Sequence, residues 1–65
     1  MTAGETELEM AVRHVTEQVE RIARQEVLIQ RLRKAGVPLD DALGLLTSMQ
    51  DFLETMRDHV ARLSN

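Results

Sequence analysis

The two histidines of this 65-residue chain, His14 and His59, are the side chains best suited to bind a metal or to transfer a proton. In an antiparallel hairpin that turns at Gly36, the two histidines would lie at the same level along the helix axes, one on each helix. Helical metal sites place a Glu three residues before a histidine, or a second histidine one turn away, and neither pattern occurs here. On the helices predicted below, His14 points outward and His59 lies at the edge of an apolar stripe. We therefore expect that the two histidines do not converge and that the chain binds no metal.

An acidic cluster follows one side of the second predicted helix, at Asp51, Glu54 and Asp58. Carboxylates bind Mg²⁺ or Ca²⁺, but a loop or a substrate phosphate is normally needed to complete the oxygen shell. A solvated face that keeps the protein in solution is the favoured interpretation.

A basic cluster, Arg31, Arg33 and Lys34, precedes the predicted end of the first helix. Cations are favoured there because they face the negative end of the helix dipole; an anion or RNA site is the alternative. A net charge of −3 argues against duplex nucleic acid, whose phosphates require clustered Lys and Arg. We expect no nucleic-acid partner.

Other catalytic signatures are absent from the sequence. It contains no cysteine, no glycine-rich phosphate loop, no nucleophile elbow and no Ser-His-Asp constellation. Two helices also offer little concavity in which to hold a substrate. The sequence therefore predicts no catalytic residue, no cofactor and no enzyme.

The second helix has the clearest periodicity, and we predict it over residues 38–63. Two apolar series, each repeating every seven residues, form one coiled-coil-like seam. They are Leu39, Leu46, Leu53 and Val60, together with Ala42, Met49, Met56 and Leu63. Met49 and Met56 are interpreted as core residues, with an adaptable groove for a partner helix as the alternative. Gly44 either permits close approach of a neighbouring helix or is a neutral exposed position.

The first helix is predicted over residues 6–35, after a disordered segment at residues 1–5. Thr6 and Glu9 fit a capping box at its start. Its apolar stripe is assigned to residues that recur at spacings of four and three, with Glu26 as the interruption. The stripe consists of Leu8, Val12, Val15, Val19, Ile22 and Ile29, and Leu28, Ile29 and Leu32 form a rotated second face near the turn.

Ion pairs are predicted along the first helix, because three glutamates each stand four residues before an arginine. The pairs are Glu9–Arg13, Glu17–Arg21 and Glu20–Arg24.

A turn at residues 36–37 joins the two helices. Gly36 can adopt the left-handed conformation that ends a helix, and Pro38 suits the first position of the next one. Asp40 and Asp41 then place negative charge at the start of the second helix. Such a short connection forces the chain to reverse. The sequence thus predicts an all-α fold, an antiparallel two-helix hairpin forming a single domain over residues 6–63.

The apolar stripe of the second helix is wider than one facing helix can cover, since Leu43, Leu45 and Phe52 flank the seam. A chain this short without disulfides needs another source of stability, and oligomerisation is the one that remains. We expect a homodimer that forms a four-helix bundle, with an unidentified protein partner as the alternative. The predicted interface comprises Leu28, Leu32, Leu39, Leu43, Leu45, Leu46, Met49, Phe52, Leu53, Met56 and Val60.

Two classes of function fit this pattern. The first is a self-associating protein–protein interaction module, a small adaptor or regulator. The second is a peripheral element on a membrane surface, which would require Lys and Arg beside the apolar stripe and several aromatic residues within it. The acidic start of the second helix disfavours the membrane surface. No apolar run approaches the roughly 20 residues that cross a bilayer, and the acidic N-terminus is unlike a secretion signal, so we expect a cytoplasmic protein.

A set of residues between Arg21 and Leu63 carries a resemblance to known proteins. The set consists of Arg21-Ile22-Ala23-Arg24-Gln25, Leu28-Ile29, Leu32, Gly36, Ala42, Leu45-Leu46, His59 and Arg62-Leu63. On these residues the chain resembles a group of short uncharacterised proteins from proteobacteria, many of them rhizobial. The resemblance implies a bacterial, cytoplasmic helical hairpin and implies no activity.

Overall fold

A computed structural model describes residues 4–65 as two α-helices, α1 (Glu7–Ala35) and α2 (Asp40–Ser64). The helices pack against each other in opposite directions, since Gln18 contacts Met49 while Gln25, further along α1, contacts Ala42. No strand occurs within residues 4–65. With extents of 48 × 22 × 13 Å, the hairpin is a single layer about one helix thick. The predicted all-α, two-helix fold is confirmed.

The capping box predicted at the start of α1 is present. The Thr6 hydroxyl accepts a hydrogen bond from the Glu9 amide at 3.0 Å, and the Glu9 carboxylate accepts one from the Thr6 amide at 3.0 Å. These two bonds satisfy amides that have no partner inside the helix. Hydrogen bonding to the Glu9 carboxylate, first from the Thr6 backbone and then from the Thr6 side chain, lowers the pKa of Glu9 below its ordinary value of 4.5.

The ion pairs of α1 differ from those predicted. Because the Glu9 carboxylate is turned back to Thr6, Arg13 pairs instead with Glu5 at 3.0 Å and with Glu17 at 3.5 Å. Its hydrogen bond to Glu5 is the main cause that raises the pKa of Arg13. Within the described residues, neither of the other two predicted ion pairs, Glu17–Arg21 and Glu20–Arg24, is formed. Of the predicted disordered segment, residues 1–3 lie outside the described residues, and Glu5 contacts α1 through Arg13.

Gly36 ends α1 in a left-handed conformation with φ of 73°, as predicted. The Gly36 amide donates to the Arg33 carbonyl at 3.1 Å, and the Val37 amide donates to the Leu32 carbonyl at 3.2 Å. These two bonds form a Schellman motif, in which the residues after a helix satisfy carbonyls of its last turn. The motif folds Val37 back over α1 and starts the reversal of the chain.

The connection between the helices is longer than residues 36–37. Pro38 was expected to be the first residue of the second helix, but α2 begins at Asp40, and its first hydrogen bond runs from the Leu43 amide to the Leu39 carbonyl at 2.8 Å. Val37 and Pro38 are needed to carry the chain from one helix axis to the other. Asp40 and Asp41 occupy the first turn of α2, where their charge complements the helix dipole.

Substitution of Glu9 tests the capping box through its pH dependence. Because folding lowers the pKa of Glu9, this carboxylate stabilises the folded chain above its ordinary pKa, and the contribution is lost as the pH falls through the lowered value. Glu9→Gln keeps the hydrogen-bonding pattern but removes the charge. We expect its melting temperature to fall less between about pH 6 and about pH 3 than that of the parent. Glu20→Gln, at an exposed position of the same helix, is the control; equal slopes for Glu9→Gln and the parent would contradict the assignment.

The glycines of the chain provide a matched pair for testing the turn. A Cβ added to Gly36 or Gly44 meets nothing within 4 Å, so packing does not distinguish the two sites. We expect Gly36→Ala to destabilise the hairpin by about 1–2 kcal/mol because of its left-handed backbone. Gly44→Ala, inside α2, should stabilise it by about 0.5–1 kcal/mol. Urea unfolding of both variants measures the difference, and effects of the same sign would show that the turn is assigned wrongly.

Candidate association surfaces of the hairpin

The seam that α2 turns toward α1 lies where the heptad pattern predicts it. Seven of its eight members are the half-buried residues of α2, the eighth is the N-cap residue Leu39, and every other position of that helix is exposed. They are Leu39, Ala42, Leu46, Met49, Leu53, Met56, Val60 and Leu63. The prediction succeeded here because the two apolar series repeat every seven residues along α2, so they identify a single face that can pack against α1.

The seam of α1 differs from the predicted stripe. Val12 and Val19, assigned to the seam, are 47% and 42% exposed, whereas Ala11 and Gln18 are buried. Apart from the half-buried Glu17, the buried and half-buried residues of α1 recur at spacings of three and four: Leu8, Ala11, Val15, Gln18, Ile22, Gln25, Ile29 and Leu32. Ile29 and Leu32 therefore continue one seam rather than starting a rotated face. Choosing the stripe by apolar residues alone placed it on the wrong side of α1, because two of the positions that face α2 hold glutamine.

Gln18 and Gln25 are the polar residues at the centre of the hairpin, only 4% and 9% exposed. The Gln18 side-chain amide donates to the Met49 carbonyl at 2.9 Å, and that of Gln25 donates to the Ala42 carbonyl at 3.0 Å. A helical carbonyl already bonded within its helix has a second lone pair to accept such a donor. Among the described residues, no buried side-chain polar atom lacks a partner. The two bonds, one heptad apart, fix the register of α1 against α2.

Two surfaces flank the seam, one on each side of the hairpin. We call the first the phenylalanine face; it contains His14 and Arg21 of α1 with Leu45, Phe52 and His59 of α2, which line two adjacent grooves. Leu28, seven residues after Arg21, lies on the same side of α1.

The second surface we call the valine face. Val12 and Val15 of α1 border a groove there together with Arg57 and Val60 of α2. Val19 and Leu43 lie on this side, since they are seven residues after Val12 and fourteen before Arg57.

The histidines do share a surface, contrary to the expectation that they would not converge. His14 and His59 line one open groove of about 230 Å³ together with Phe52. The prediction was wrong because moving the seam of α1 to Ala11 and Gln18 turns His14 from the outside to the flank. Within residues 4–65 no group of three or more His, Asp or Glu side chains is placed to hold a metal ion.

The remaining charged clusters lie on the outside of the hairpin. Asp51, Glu54 and Asp58 are exposed on α2. The exposed Arg33 and Lys34 occupy the last turn of α1, where they complement the helix dipole.

The predicted interface residues divide into two sets. Seven are half-buried in the seam between α1 and α2: Leu32, Leu39, Leu46, Met49, Leu53, Met56 and Val60. Four remain exposed, with Leu28, Leu45 and Phe52 on the phenylalanine face and Leu43 on the valine face. Sequence reasoning placed Val12 and Val19 inside the hairpin and so missed the valine face.

Comparisons of the chain with protein-family models, with curated proteins and with solved structures return no match. The resemblance to proteobacterial hairpin proteins therefore stays a prediction. Neither α1 nor α2 contains a stretch that is long and apolar enough to span a membrane.

Paired substitutions of Gln25 separate hydrogen bonding from packing. Gln25→Ala removes both the bond to Ala42 and the side-chain volume, and we expect a loss of about 1–3 kcal/mol. Gln25→Leu removes the bond but buries an apolar group of similar size, so we expect stability equal to or above that of the parent. Thermal unfolding measures both, with Gln30→Ala at an exposed position as the control. A neutral Gln25→Ala variant would contradict the seam.

Proposed function

We propose that the protein is a self-associating helical interaction module, whose hairpins pair into a homodimeric four-helix bundle in the cytoplasm. In this proposal it acts as a small adaptor or regulator that presents a helical surface to another protein. No catalytic residue, cofactor or metal is part of the proposal.

The exposure of apolar side chains is the observation that carries the proposal. Of the apolar residues described, only Ala11 and Ile29 are buried. Nine large ones are between 41% and 56% exposed: Met10, Val12, Val19, Val27, Leu28, Val37, Leu43, Leu45 and Phe52. Single exposed apolar residues are ordinary on protein surfaces, but neighbouring ones on both flanks of one seam are typical of an interface. A second layer of helices on one flank would remove the apolar side chains of that flank from water.

The total surface area supports a partner of comparable size. The chain exposes 5104 Å², whereas a compact folded monomer of 7.4 kDa exposes about 4,200 Å². The excess of about 900 Å² is close to the area of about 800 Å² that each partner buries in a standard protein interface. A second hairpin matches this requirement, and a twofold dimer is the commonest arrangement of identical chains.

Sedimentation equilibrium of the purified protein, measured over a wide range of concentration, tests the proposal. We expect twice the 7.4 kDa mass of one chain, and a melting temperature that rises with concentration because folding and association are linked. Leu53→Asp, which places a charge in the seam, should abolish helicity and association together.

A cooperatively folded single chain at every concentration would refute self-association. If that monomer gained helix content on vesicles of anionic phospholipid, the membrane-surface function would replace it. Circular dichroism with and without such vesicles makes this distinction.

A further inference from the structure

We propose that two copies associate through the phenylalanine face, about a twofold axis that crosses α2 at Phe52, so that each α2 lies antiparallel to the α2 of its partner. This inference rests on the self-association proposed above and specifies the surface and the geometry. It follows from the order of side chains along α2 on that face.

The α2 part of the phenylalanine face is self-complementary when it is reversed. Ser48, Phe52 and Thr55 line the two grooves, and Asp41 and Arg62 lie seven residues before Ser48 and after Thr55 on the same side. Reversal about Phe52 brings Asp41 within one residue of the level of the partner's Arg62, and Ser48 within one residue of the level of the partner's Thr55. Phe52 then meets its own copy. Opposite charges therefore meet at both ends of an uncharged centre, which an interface between identical surfaces requires.

Leu45 and His59 complete the α2 part of the face. The same reversal sets Leu45 against the partner's His59, so the exposed leucine meets an imidazole ring rather than a carboxylate or a guanidinium. Leu45 and Phe52 are 53% and 56% exposed in the single chain, and both would be covered.

The α1 part of the face adds no charge pairing about this axis. Phe52 borders both grooves, one shared with His14 and one with Arg21, so it stands beside the turn of α1 between these residues. An axis at that height sets His14 against the partner's Arg21. The complementarity of the face therefore lies in α2.

The valine face does not show this match. On that side α2 carries Leu43 and Arg57, and reversal about the position midway between them sets Leu43 against the partner's Arg57. An apolar side chain would then be buried against a guanidinium, which costs free energy. The second copy therefore fits the phenylalanine face.

Single cysteines provide a direct test, because the natural chain has none. We expect Phe52→Cys to form a disulfide-linked dimer under mild oxidation, since the two thiols would meet at the axis. Leu43→Cys, equally accessible but on the valine face, should stay largely monomeric on a denaturing gel. The reverse pattern, with Leu43→Cys linked and Phe52→Cys not, would overturn the inference.

Charge reversal provides a second test with a matched control. Asp40 and Asp41 are adjacent in the first turn of α2, so both interact with the helix dipole, but only Asp41 lies on the phenylalanine face. We expect Asp41→Arg to weaken the dimer about tenfold, and Asp40→Arg to change the dissociation constant much less. The double variant Asp41→Arg with Arg62→Asp should restore the parent dissociation constant. Equal weakening by the two single variants would overturn the inference.

Sedimentation of the parent protein separates this inference from the proposed function. A monomeric parent refutes both. A dimeric parent whose Phe52→Cys variant remains unlinked refutes only the phenylalanine face.

Discussion

The hydrogen bonds from Gln18 and Gln25 to carbonyls of α2 are the interactions on which the rest of the hairpin depends. Both side-chain amides are buried, and in the present register each donates to a carbonyl of α2. Sliding one helix by a turn would break both bonds, and each buried amide left without an acceptor would cost about 1–3 kcal/mol. Apolar side chains tolerate such shifts far better, because the hydrophobic effect has no direction. The glutamines therefore supply the directional part of the packing.

This arrangement also limits how much the seam can contribute to stability. Two of the eight seam positions of α1 hold glutamine and a third holds Ala11, so the helix faces α2 with a modest apolar surface. The small side chain of Ala42 leaves its carbonyl open to Gln25, but it too buries little area. Larger apolar residues such as Phe52 and Val12 stand on the flanks instead. The seam thus determines register more than it buries apolar area, and the flanks hold the larger apolar groups. This distribution is expected of a chain whose core is completed by a second layer of helices.

The sequence predicted the fold because its strongest signals are local. The capping box of Thr6 and Glu9, the left-handed Gly36 and the heptads of α2 each depend on a few neighbouring residues or on one helix. The seam of α1 depends on α2, whose carbonyls accept the glutamines, and no count of apolar residues reveals that. One signal was available: the valine series reaches Glu26 and then Arg33, whereas the series through Gln25 continues to Ile29 and Leu32. The position of His14 was misjudged for the same reason.

Register within one chain also determines what that chain presents to a second one. The grooves of the phenylalanine face form because Phe52 stands beside the turn of α1 between His14 and Arg21. A shift of α1 by one heptad would bring Phe52 beside a different turn and so change the α1 residues that flank the self-complementary stripe of α2. The intrachain bonds of Gln18 and Gln25 would then control association without either residue touching the partner. Polar groups inside a small helical protein can in this way determine specificity while contributing little to stability.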